Sequence, residues 1–249
     1  MTNSTPGRLA GKTAIVTGAA RGIGEATVRR LAADGARVAV GWAHSERLAN
    51  ALADELTAGG SSVIALKADN GDPDQVRALF ASVEAQFGGI DIVVANAGIG
   101  WDNPIADMPL SEFQELIQVN LIGTFICLQE AARHIRDHGR IITISSGHTR
   151  SISAGAGPLS ATKAGVEELS KALALEIASR KVTVNVVRPN LIESTGITPE
   201  VRKAIAHLIA AVPLGGLGQT FDVANTIAFL ASDDARWITG SIIDVNGGL

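Results

Sequence analysis

The sequence predicts a single α/β domain in which helices cover both faces of a parallel sheet. Seven short segments rich in β-branched residues alternate with amphipathic stretches along the 249 residues. These segments are apolar at consecutive positions, so both faces of each strand are expected to be buried, as is typical of parallel sheets. The stretches between them have helical periodicity, and each crossover is expected to be right-handed. We therefore predict one doubly wound domain over 1–249, without a linker or an internal repeat.

Each predicted element follows from a local pattern. The first strand is "TAIVT", and the first helix, "GIGEATVRRLAADG", ends at Gly35, because glycine commonly follows a helix C-terminus. The other strands are "ARVAVG", "SSVIALKA", "DIVVANAG", "RIITISS", "VTVNVV" and "SIIDV". The other helices are "SERLANALADELTAGG", "DPDQVRALFASVEAQFGG" with an Asp-Pro start, one long helix over Ser111–Asp137, "SATKAGVEELSKALALEIASR", and two helices around 199–211 and 220–231.

The composition excludes several classes of protein. The net charge is −4, so we expect neither the basic face of a nucleic-acid-binding protein nor a polybasic membrane patch. No apolar run approaches the roughly 20 residues that cross a bilayer, and "MTNSTPGRLAGK" lacks the apolar core of a secretory signal. The single cysteine, Cys127, cannot form an internal disulfide, which predicts a cytoplasmic protein. It lies in an apolar helical run, which predicts a buried thiol. The histidines are scattered, so no metal site is expected.

A glycine-rich turn follows the first strand. In "TGAARGIG", Gly18, Gly22 and Gly24 lie where the strand passes into the first helix. Glycines there allow unusual backbone angles and a close approach to a phosphate, and the helix N-terminus adds N–H groups and a positive dipole end. The spacing differs from the common Gly-x-Gly-x-x-Gly fingerprint. The turn therefore predicts a phosphate site only in combination with other motifs.

Those other motifs follow in order along the chain. They are "NAG" at 96–98, Asn120 in "VNLIGTF", "ISS" ending at Ser146, Lys163, "RPNLIES" and "ITGSIIDVNGG". Together with the glycine-rich turn they resemble the short-chain dehydrogenase/reductase family over essentially the whole chain. The resemblance implies a Rossmann-type fold, a nicotinamide cofactor, a small-molecule substrate and a homotetramer or homodimer.

The end of the second strand predicts which nicotinamide is used. NAD-dependent relatives carry an acidic residue there for the ribose 2′-hydroxyl, whereas this chain has "VGWAHSER", with its first acid already inside the next helix. Arg21, His44, Ser45 and Arg47 are expected to surround a 2′-phosphate, because guanidinium groups bind phosphate with paired, charge-assisted hydrogen bonds. We therefore predict NADPH or NADP⁺, the alternative being that the two arginines are ordinary solvated charges.

The resemblance also implies the remaining cofactor contacts. Asp69 resembles the residue that touches the adenine, Asn96 one that lines the adenosine ribose, and turn capping is the alternative for both. Ile192 and Ser194 resemble residues that contact the nicotinamide carboxamide, although Ser194 could be an ordinary loop serine. The complete expected set is Gly18, Arg21, Gly22, Ile23, Gly24, His44, Ser45, Arg47, Asp69, Asn70, Asn96, Ala97, Gly98, Lys163, Pro189, Ile192 and Ser194.

The catalytic set of the family is Asn, Ser, Tyr and Lys, and one member is missing here. By resemblance Asn120 holds a water that links the lysine to solvent, Ser146 contacts the substrate oxygen, and Lys163 binds the nicotinamide ribose. Leu159 stands where the family has its tyrosine acid, and the chain contains no tyrosine at all. Because leucine has no titratable proton, we expect cofactor binding to be kept and proton transfer to be altered.

Three interpretations of this change remain open. In the first, the chain reduces a substrate that needs no strong enzyme acid, such as an imine or a compound with an activated C=C bond. Alternatively, His148, Ser146 or water donates the proton to a carbonyl substrate, His148 because an unperturbed imidazole titrates near pH 6.5; a solvated loop histidine is the other interpretation of His148. The third interpretation is a cofactor-binding pseudoenzyme. The kept Asn120, Ser146 and Lys163 favour an enzyme over a binding protein.

The substrate side predicts an apolar, small molecule. Residues 193–214 are the expected lid, with Leu208 and neighbouring apolar residues at helical spacing, although that stripe could also pack on the core. Trp101, His148, Leu159, Asn190 and Leu208 are the expected substrate contacts. Arg150 and Arg188 are candidate receptors for a carboxylate or phosphate, with surface or strand-end charges as the alternative. Val166, Leu169, Leu173 and Ile177 are expected either at a subunit seam or against the sheet.

Overall fold

Seven parallel strands form one sheet in the order β3-β2-β1-β4-β5-β6-β7, which confirms the predicted doubly wound architecture. The structure is a computed structural model that describes residues 7–101, 103–194 and 197–249. The strands are β1 Thr13–Val16, β2 Arg37–Trp42, β3 Val63–Lys67, β4 Ile90–Ala95, β5 Ile135–Ile144, β6 Thr183–Pro189 and β7 Ile242–Val245.

Helices lie on both faces of the sheet. They are α1 Gly22–Ala33, α2 Glu46–Ala58, α3 Pro73–Phe87, α4 Leu110–Leu116, α5 Gly123–His134, α6 Gly157–Glu176, α7 Pro199–Ala204, α8 Ala206–Ala211 and α9 Thr220–Ala231. One core forms between the sheet and α1, α2 and α9, and the other between the sheet and α3, α5 and α6. On β1, Ala14 and Val16 enter the first core and Ile15 the second. Consecutive apolar residues are needed because successive side chains point to opposite, equally buried faces.

Local capping agrees with the predicted starts and stops. The Asp72 carboxylate accepts hydrogen bonds from the backbone N–H groups of Asp74 and Gln75, which caps α3 at its Asp-Pro start. After α1, Gly35 has φ of 93°, and a Cβ atom there would lie 3.2 Å from the Cα of Ala10. Gly35 is thus required both by its left-handed backbone and by the close approach of the N-terminal segment.

The predicted long helix ends earlier than expected. It runs through α4, one wider π turn over Ile117–Ile122, and α5, and it stops at His134 rather than at Asp137. β5 starts at once, because Ile135 pairs with Ile90 of β4 and buries its side chain. The Arg180 guanidinium donates a hydrogen bond to the Ala132 carbonyl in the last turn of α5. Pairing with a distant strand therefore overrides the local helical pattern of "RHIRDHG".

The predicted helix around 199–211 consists of two short helices, α7 and α8, which meet at Ile205. Of its apolar stripe, Val212 is buried, Ile205 and Ile209 are half-buried, and Leu208 remains exposed. Within the expected lid, 193–214, residues 195–196 lie outside the described residues. Whether this segment closes over a substrate stays a prediction.

The apolar residues of α6 contact the sheet within the chain itself. Val166, Leu173 and Ile177 are buried, and Leu169 packs against the second core. Of the two interpretations open for these residues, packing against the sheet is the one observed. In the described part of the chain, no helix has both the length and the apolar character needed to cross a membrane.

Candidate active site

A large cleft opens at the carboxyl ends of the strands, where β1 and β4 lie side by side. The order of the sheet reverses between these two strands, and the connections after them leave in opposite directions, which is the usual place for a ligand in such sheets. The cleft has a volume of about 1620 Å³. Its walls come from the loops after β1, β2, β3, β4 and β5, from the α4 region, and from Leu159, Lys163, Pro189 and Ser194.

The glycine-rich turn has the geometry of a phosphate cradle. Gly18 and Gly22 both have φ of 60°, and a Cβ atom on Gly24 would lie 2.6 Å from the Gly18 carbonyl oxygen. A Cβ atom on Gly22 would meet nothing within 4 Å, because that side of the turn faces the open cleft. Among the described residues, no side chain caps the N-terminus of α1 at Arg21. The N–H groups and positive dipole end of α1 are therefore available to an anion in the cleft.

Asn96 supports this turn from the neighbouring strand. Its side-chain amide donates hydrogen bonds of 2.9 Å to the Thr17 carbonyl and 3.1 Å to the Gly18 carbonyl. The Thr17 hydroxyl accepts hydrogen bonds from the backbone N–H groups of Asn96 and Ala97. Sequence reasoning missed Thr17, because a threonine that ends a strand has no distinctive pattern. Asn96 thus holds the glycine turn in place as well as lining the cleft.

Cationic and polar side chains lie where a 2′-phosphate is expected. Arg21, His44 and Ser45 line the cleft, and Arg47 lines a smaller adjoining cavity of about 490 Å³ with His44 and Ser45. Trp42, at the end of β2, also lines the main cleft. Glu46 also lines the smaller cavity. The Asp69 carboxylate lies 4.0 Å from His44, and its other oxygen accepts a hydrogen bond from Gly71 N. Asp69 therefore both caps the turn after β3 and lines the cleft.

Lys163 reaches the floor of the cleft from α6. Its ammonium group donates a 2.9 Å hydrogen bond to the Ile144 carbonyl at the end of β5, and the residue is only 7% exposed. Burial lowers the pKa of Lys163 to about 8, because the charged form loses hydration. In this environment the ammonium is a strong hydrogen-bond donor and loses its proton more readily than an exposed lysine does.

Asn120 lies behind Lys163, in the π turn between α4 and α5. Its side chain exchanges two hydrogen bonds of 2.8 Å with the backbone of Ile99, and its amide group lies 3.3 Å from the Thr162 hydroxyl. A Cβ atom on Gly98 would lie 3.1 Å from the Lys163 ammonium nitrogen and 3.2 Å from the Asn120 Oδ1. Glycine at 98 therefore lets both side chains approach the loop after β4.

Ser146 and Leu159 complete this end of the cleft. Both line it with Lys163, and both are half-buried. The Leu159 side chain packs toward Gly100, where an added Cβ atom would lie 3.2 Å from Cδ2. Among the described residues that line the cleft near Ser146, Lys163 is the only one with an ionisable side chain. This end of the cleft therefore combines a hydroxyl, an ammonium and an apolar surface.

Comparison with known proteins shows the family. A family model described as enoyl-(acyl carrier protein) reductase matches residues 18–249. The 3-oxoacyl-[acyl-carrier-protein] reductase FabG of Staphylococcus aureus is 42% identical over 243 residues, which span 96% of this chain and 98% of that protein. The chain belongs to the short-chain dehydrogenase/reductase family. The predicted family is thus confirmed, as is the prediction of an oxidoreductase.

Two solved structures agree with this chain in fold. A short-chain dehydrogenase from Burkholderia cenocepacia, solved in complex with NADP, has a TM-score of 0.92 and is 36% identical in sequence. The match spans 97% of this chain and 98% of that protein. A blue fluorescent protein from a metagenomic library, solved with NADPH, has a TM-score of 0.92 and 37% identity, with the same coverage of 97% and 98%. The Rossmann-type fold expected from the family resemblance is therefore confirmed.

Some side chains predicted to contact the substrate or cofactor do not line the cleft in the described structure. His148 Nδ1 lies 3.4 Å from the Ser153 hydroxyl, Asn190 packs over Gly147, and Ile192 forms a strand-like bridge to Gly218. Trp101 and Leu208 are each 37% exposed and lie outside the cleft lining as well. Their roles toward a substrate or cofactor stay predictions.

The two arginines considered as anion receptors are already paired. Arg188 makes a 2.6 Å ion pair with Asp244, and Arg150 makes one of 2.8 Å with the other oxygen of the same carboxylate. The hydrogen bond from Arg188 holds the pKa of Asp244 below its usual value. Arg150 and Arg188 are thus strand-end charges bound to Asp244, which was the alternative interpretation.

One wall of the cleft was not anticipated from the sequence. It is formed by the α4 region and consists of Leu110, Phe113, Gln114, Glu115, Ile117, Gln118, Val119 and Ile122. A repeat of Leu110, Gln114 and Gln118, four residues apart, marks one face of that helix and could have suggested it. Helical spacing does not tell a cleft wall from a packed surface, so the signal became meaningful only with the fold.

Proposed function

We propose that this chain is an NADPH-dependent reductase that acts on a C=N bond, or on another activated double bond, of a small apolar molecule, cyclic molecules included. The observation that carries the proposal is the apolar side chain of Leu159, which lines the cleft with Ser146 and Lys163 where a proton donor would be needed for ketone reduction. The chain has no tyrosine at any position.

The cleft suits a dinucleotide phosphate. The glycine turn and the N-terminus of α1 would hold the pyrophosphate, and Arg21, His44, Ser45 and Arg47 would hold a 2′-phosphate. Lys163 would donate hydrogen bonds to the nicotinamide ribose. When bound, NADPH supplies the hydride. The NADPH- and NADP-bound relatives at 37% and 36% identity support this choice of cofactor.

The nature of the product explains why Leu159 favours a C=N substrate. Reduction of a ketone leaves an alkoxide that needs a proton, and a positioned general acid contributes roughly 10²–10⁴ in rate. Reduction of a protonated imine gives a neutral amine, which needs no such proton. An activated C=C bond gives an enolate, whose charge is delocalised and which the Ser146 hydroxyl can stabilise by donating a hydrogen bond.

A carbonyl reductase is the second candidate. It is favoured by the name of the relatives at 42% identity, 3-oxoacyl-[acyl-carrier-protein] reductase. In that case the proton comes from water, Ser146 or His148. Ser146 and water are favoured over His148, because Ser146 lines the cleft in the described structure and His148 does not.

The experiment is NADPH oxidation with a matched pair of substrates, a cyclic ketone and the corresponding cyclic imine, between pH 6 and 8. The wild-type chain is compared with Leu159→Tyr and with Leu159→Phe, the matched control that adds a ring without a hydroxyl. We expect the wild type to reduce the imine, and Leu159→Tyr alone to gain ketone reduction, by roughly 10²–10⁴.

Two results would count against the proposal. Rapid ketone reduction by the wild type supports the carbonyl reductase instead. If NADPH binds, measured by its fluorescence, but neither substrate class is reduced over a wide panel, the chain is a cofactor-binding pseudoenzyme.

Assembly as a homotetramer or homodimer is also proposed. Phe125 in α5 is 47% exposed, and Ile122, at the end of the π turn and the edge of the cleft, is 40% exposed. Such apolar side chains are common at subunit interfaces. Light scattering at micromolar concentration tests this, and a monomer mass would contradict it.

A further inference from the structure

A stripe of polar residues on α6 binds the end of β5 and the turn after it. The stripe consists of Ser160, Lys163, Glu167 and Ser170, which lie three or four residues apart and so share one face of the helix. Their partners are the His148 carbonyl, the Ile144 carbonyl, the Ser145 and Thr149 hydroxyls, and the Thr143 hydroxyl, respectively. These partners lie on both sides of Ser146 in the sequence, but no residue of the stripe forms a hydrogen bond with the Ser146 side chain.

Glu167 makes the two shortest of these contacts. Its Oε1 accepts a 2.6 Å hydrogen bond from the Ser145 hydroxyl and another of 2.6 Å from the Thr149 hydroxyl. The residue is 7% exposed. Hydroxyl groups that donate to a carboxylate form short, strong hydrogen bonds, and inside a protein they are strengthened further. One buried oxygen thus joins the residue before Ser146 to the residue three positions after it.

Arg188 explains how the buried carboxylate of Glu167 is tolerated. The Arg188 guanidinium lies 3.5 Å from Glu167 Oε1 and also donates a hydrogen bond to the Thr149 hydroxyl at 3.3 Å. Arg188 is oriented in turn by its 2.6 Å ion pair with Asp244 on β7. The charge of Glu167 is therefore balanced from β6, and the network ties α6, β6 and β7 to the turn that follows β5.

Ser146 depends on this support for its position. The Ser146 hydroxyl has one weak contact in the described structure, a 3.4 Å hydrogen bond from the backbone N–H of His148. Its location is therefore set by its backbone. Glu167 accepts hydrogen bonds from the side chains of Ser145 and Thr149 on either side. Thr149 also contacts the Ser146 carbonyl oxygen, with its backbone N–H at 3.0 Å and its hydroxyl at 2.9 Å. A misplacement of about 1 Å can cost a reaction on the order of 10²-fold in rate.

We propose that Glu167 is a positioning residue, which fixes the turn 145–149 so that the Ser146 hydroxyl points at the reacting group of the substrate. The inference rests on the proposed function in one respect, namely that Ser146 contacts the substrate. It assigns to Glu167 no direct contact with substrate or cofactor, since Glu167 does not line the cleft in the described structure.

The test compares Glu167→Leu with Glu167→Gln and with Glu168→Leu. In Glu167→Leu the Ser145 and Thr149 hydroxyls lose their common acceptor. In Glu167→Gln the amide oxygen can still accept both, because both donors bind the same oxygen. Glu168→Leu is the matched control: it makes the same change one residue later, on an exposed side chain that pairs with Lys171.

Kinetics with the best substrate of the wild type give the first measurement. We expect kcat of Glu167→Leu to fall about 10- to 100-fold while KM and the NADPH dissociation constant change by less than about threefold. Glu167→Gln should regain most of kcat, and Glu168→Leu should match the wild type. Unchanged kcat in Glu167→Leu overturns the proposal, as does a parallel loss of kcat and NADPH affinity in both Glu167 variants.

Hydrogen exchange of the NADPH-bound proteins gives a measurement that needs no turnover. Glu167→Leu should exchange faster than wild type in 145–151, and 22–33 in α1 should be unchanged. Equal exchange in 145–151 overturns the proposal even if the wild type reduces nothing, whereas absent turnover with faster exchange in 145–151 contradicts only the proposed function. Should Glu167→Leu fail to fold, Thr149→Val removes one donor and should lower kcat while NADPH affinity stays constant.

Discussion

Replacing Lys163 by methionine should stabilise the protein in the absence of cofactor and weaken NADPH binding. The lysine ammonium is buried, and a carbonyl oxygen, not a carboxylate, accepts its hydrogen bond. Methionine has a similar length and no charge, so Lys163→Met removes the cost of burying the ammonium. It also removes the donor proposed for the nicotinamide ribose. Stability and cofactor affinity should therefore change in opposite directions.

The size of the effect follows from the pKa. Burial lowers the pKa of Lys163 from 10.5 to about 8, and at roughly 1.36 kcal/mol per unit this is about 3 kcal/mol of stability lost at pH 7. Methionine leaves the Ile144 carbonyl without its partner, which costs about 1 kcal/mol. The net gain is about 2 kcal/mol, or a Tm about 4–8 °C higher for a chain of this size.

The pH dependence gives the sign of the effect. Below pH 8 Lys163 is charged in both the folded and the unfolded chain, so the whole cost is present. Between pH 8 and 10.5 the folded chain has lost this proton while the unfolded chain keeps it, so the cost falls as pH rises. The Tm advantage of Lys163→Met should therefore disappear at about pH 10.

Differential scanning fluorimetry at pH 7 and pH 10, at one protein concentration, measures both Tm values, and NADPH fluorescence measures binding. We expect NADPH to bind about 10- to 100-fold more weakly to the variant, the value of a hydrogen bond from a charged donor. Lys171→Met, on the exposed side of the same helix, is the control. A lower Tm for Lys163→Met at pH 7 would refute the burial cost, and unchanged NADPH affinity would refute the role in cofactor binding.

Three further predictions concern the glycine turn, the cofactor phosphate and the cysteine. Gly24→Ala should weaken NADPH binding by calorimetry at least about tenfold, since its Cβ would lie 2.6 Å from the Gly18 oxygen; binding like wild type would contradict the close approach. Arg21→Ala should weaken NADPH binding and leave NADH binding unchanged in fluorescence titrations; equal losses for both would exclude a 2′-phosphate contact. Cys127 is fully buried and its pKa is raised to about 12, so a thiol reagent such as DTNB should react only after unfolding; rapid reaction of the native protein would mean that α5 opens.

The alternation of strands and helices was predictable because it depends on neighbouring residues. Ala14, Ile15 and Val16 are all apolar, which is sufficient to expect a strand covered on both faces, and the structure divides them between the two cores. The glycine turn was equally local, since Gly18 and Gly22 take the positive φ angles that glycine permits. The absence of tyrosine was determined by the sequence alone.

Other features required the folded chain. The end of α5 at His134 depends on the pairing of Ile135 with Ile90, a partner 45 residues away. The contacts of His148 with Ser153 and Ser160 depend on how the turn after β5 packs against α6. Neither follows from a period of 3.6 residues or from a capping pattern.

The network around Glu167 shows the difference most clearly. In the sequence, Glu167 is one more acidic residue on an amphipathic helix, for which an exposed position is the common expectation. In the structure it meets Ser145, 22 residues earlier, and through Arg188 it reaches Asp244, 56 residues beyond that arginine. Local conformational preferences are determined by adjacent residues and can be predicted from them. Burial and hydrogen-bond partners are determined by which distant segments the sheet brings together, and so only the tertiary structure decides them.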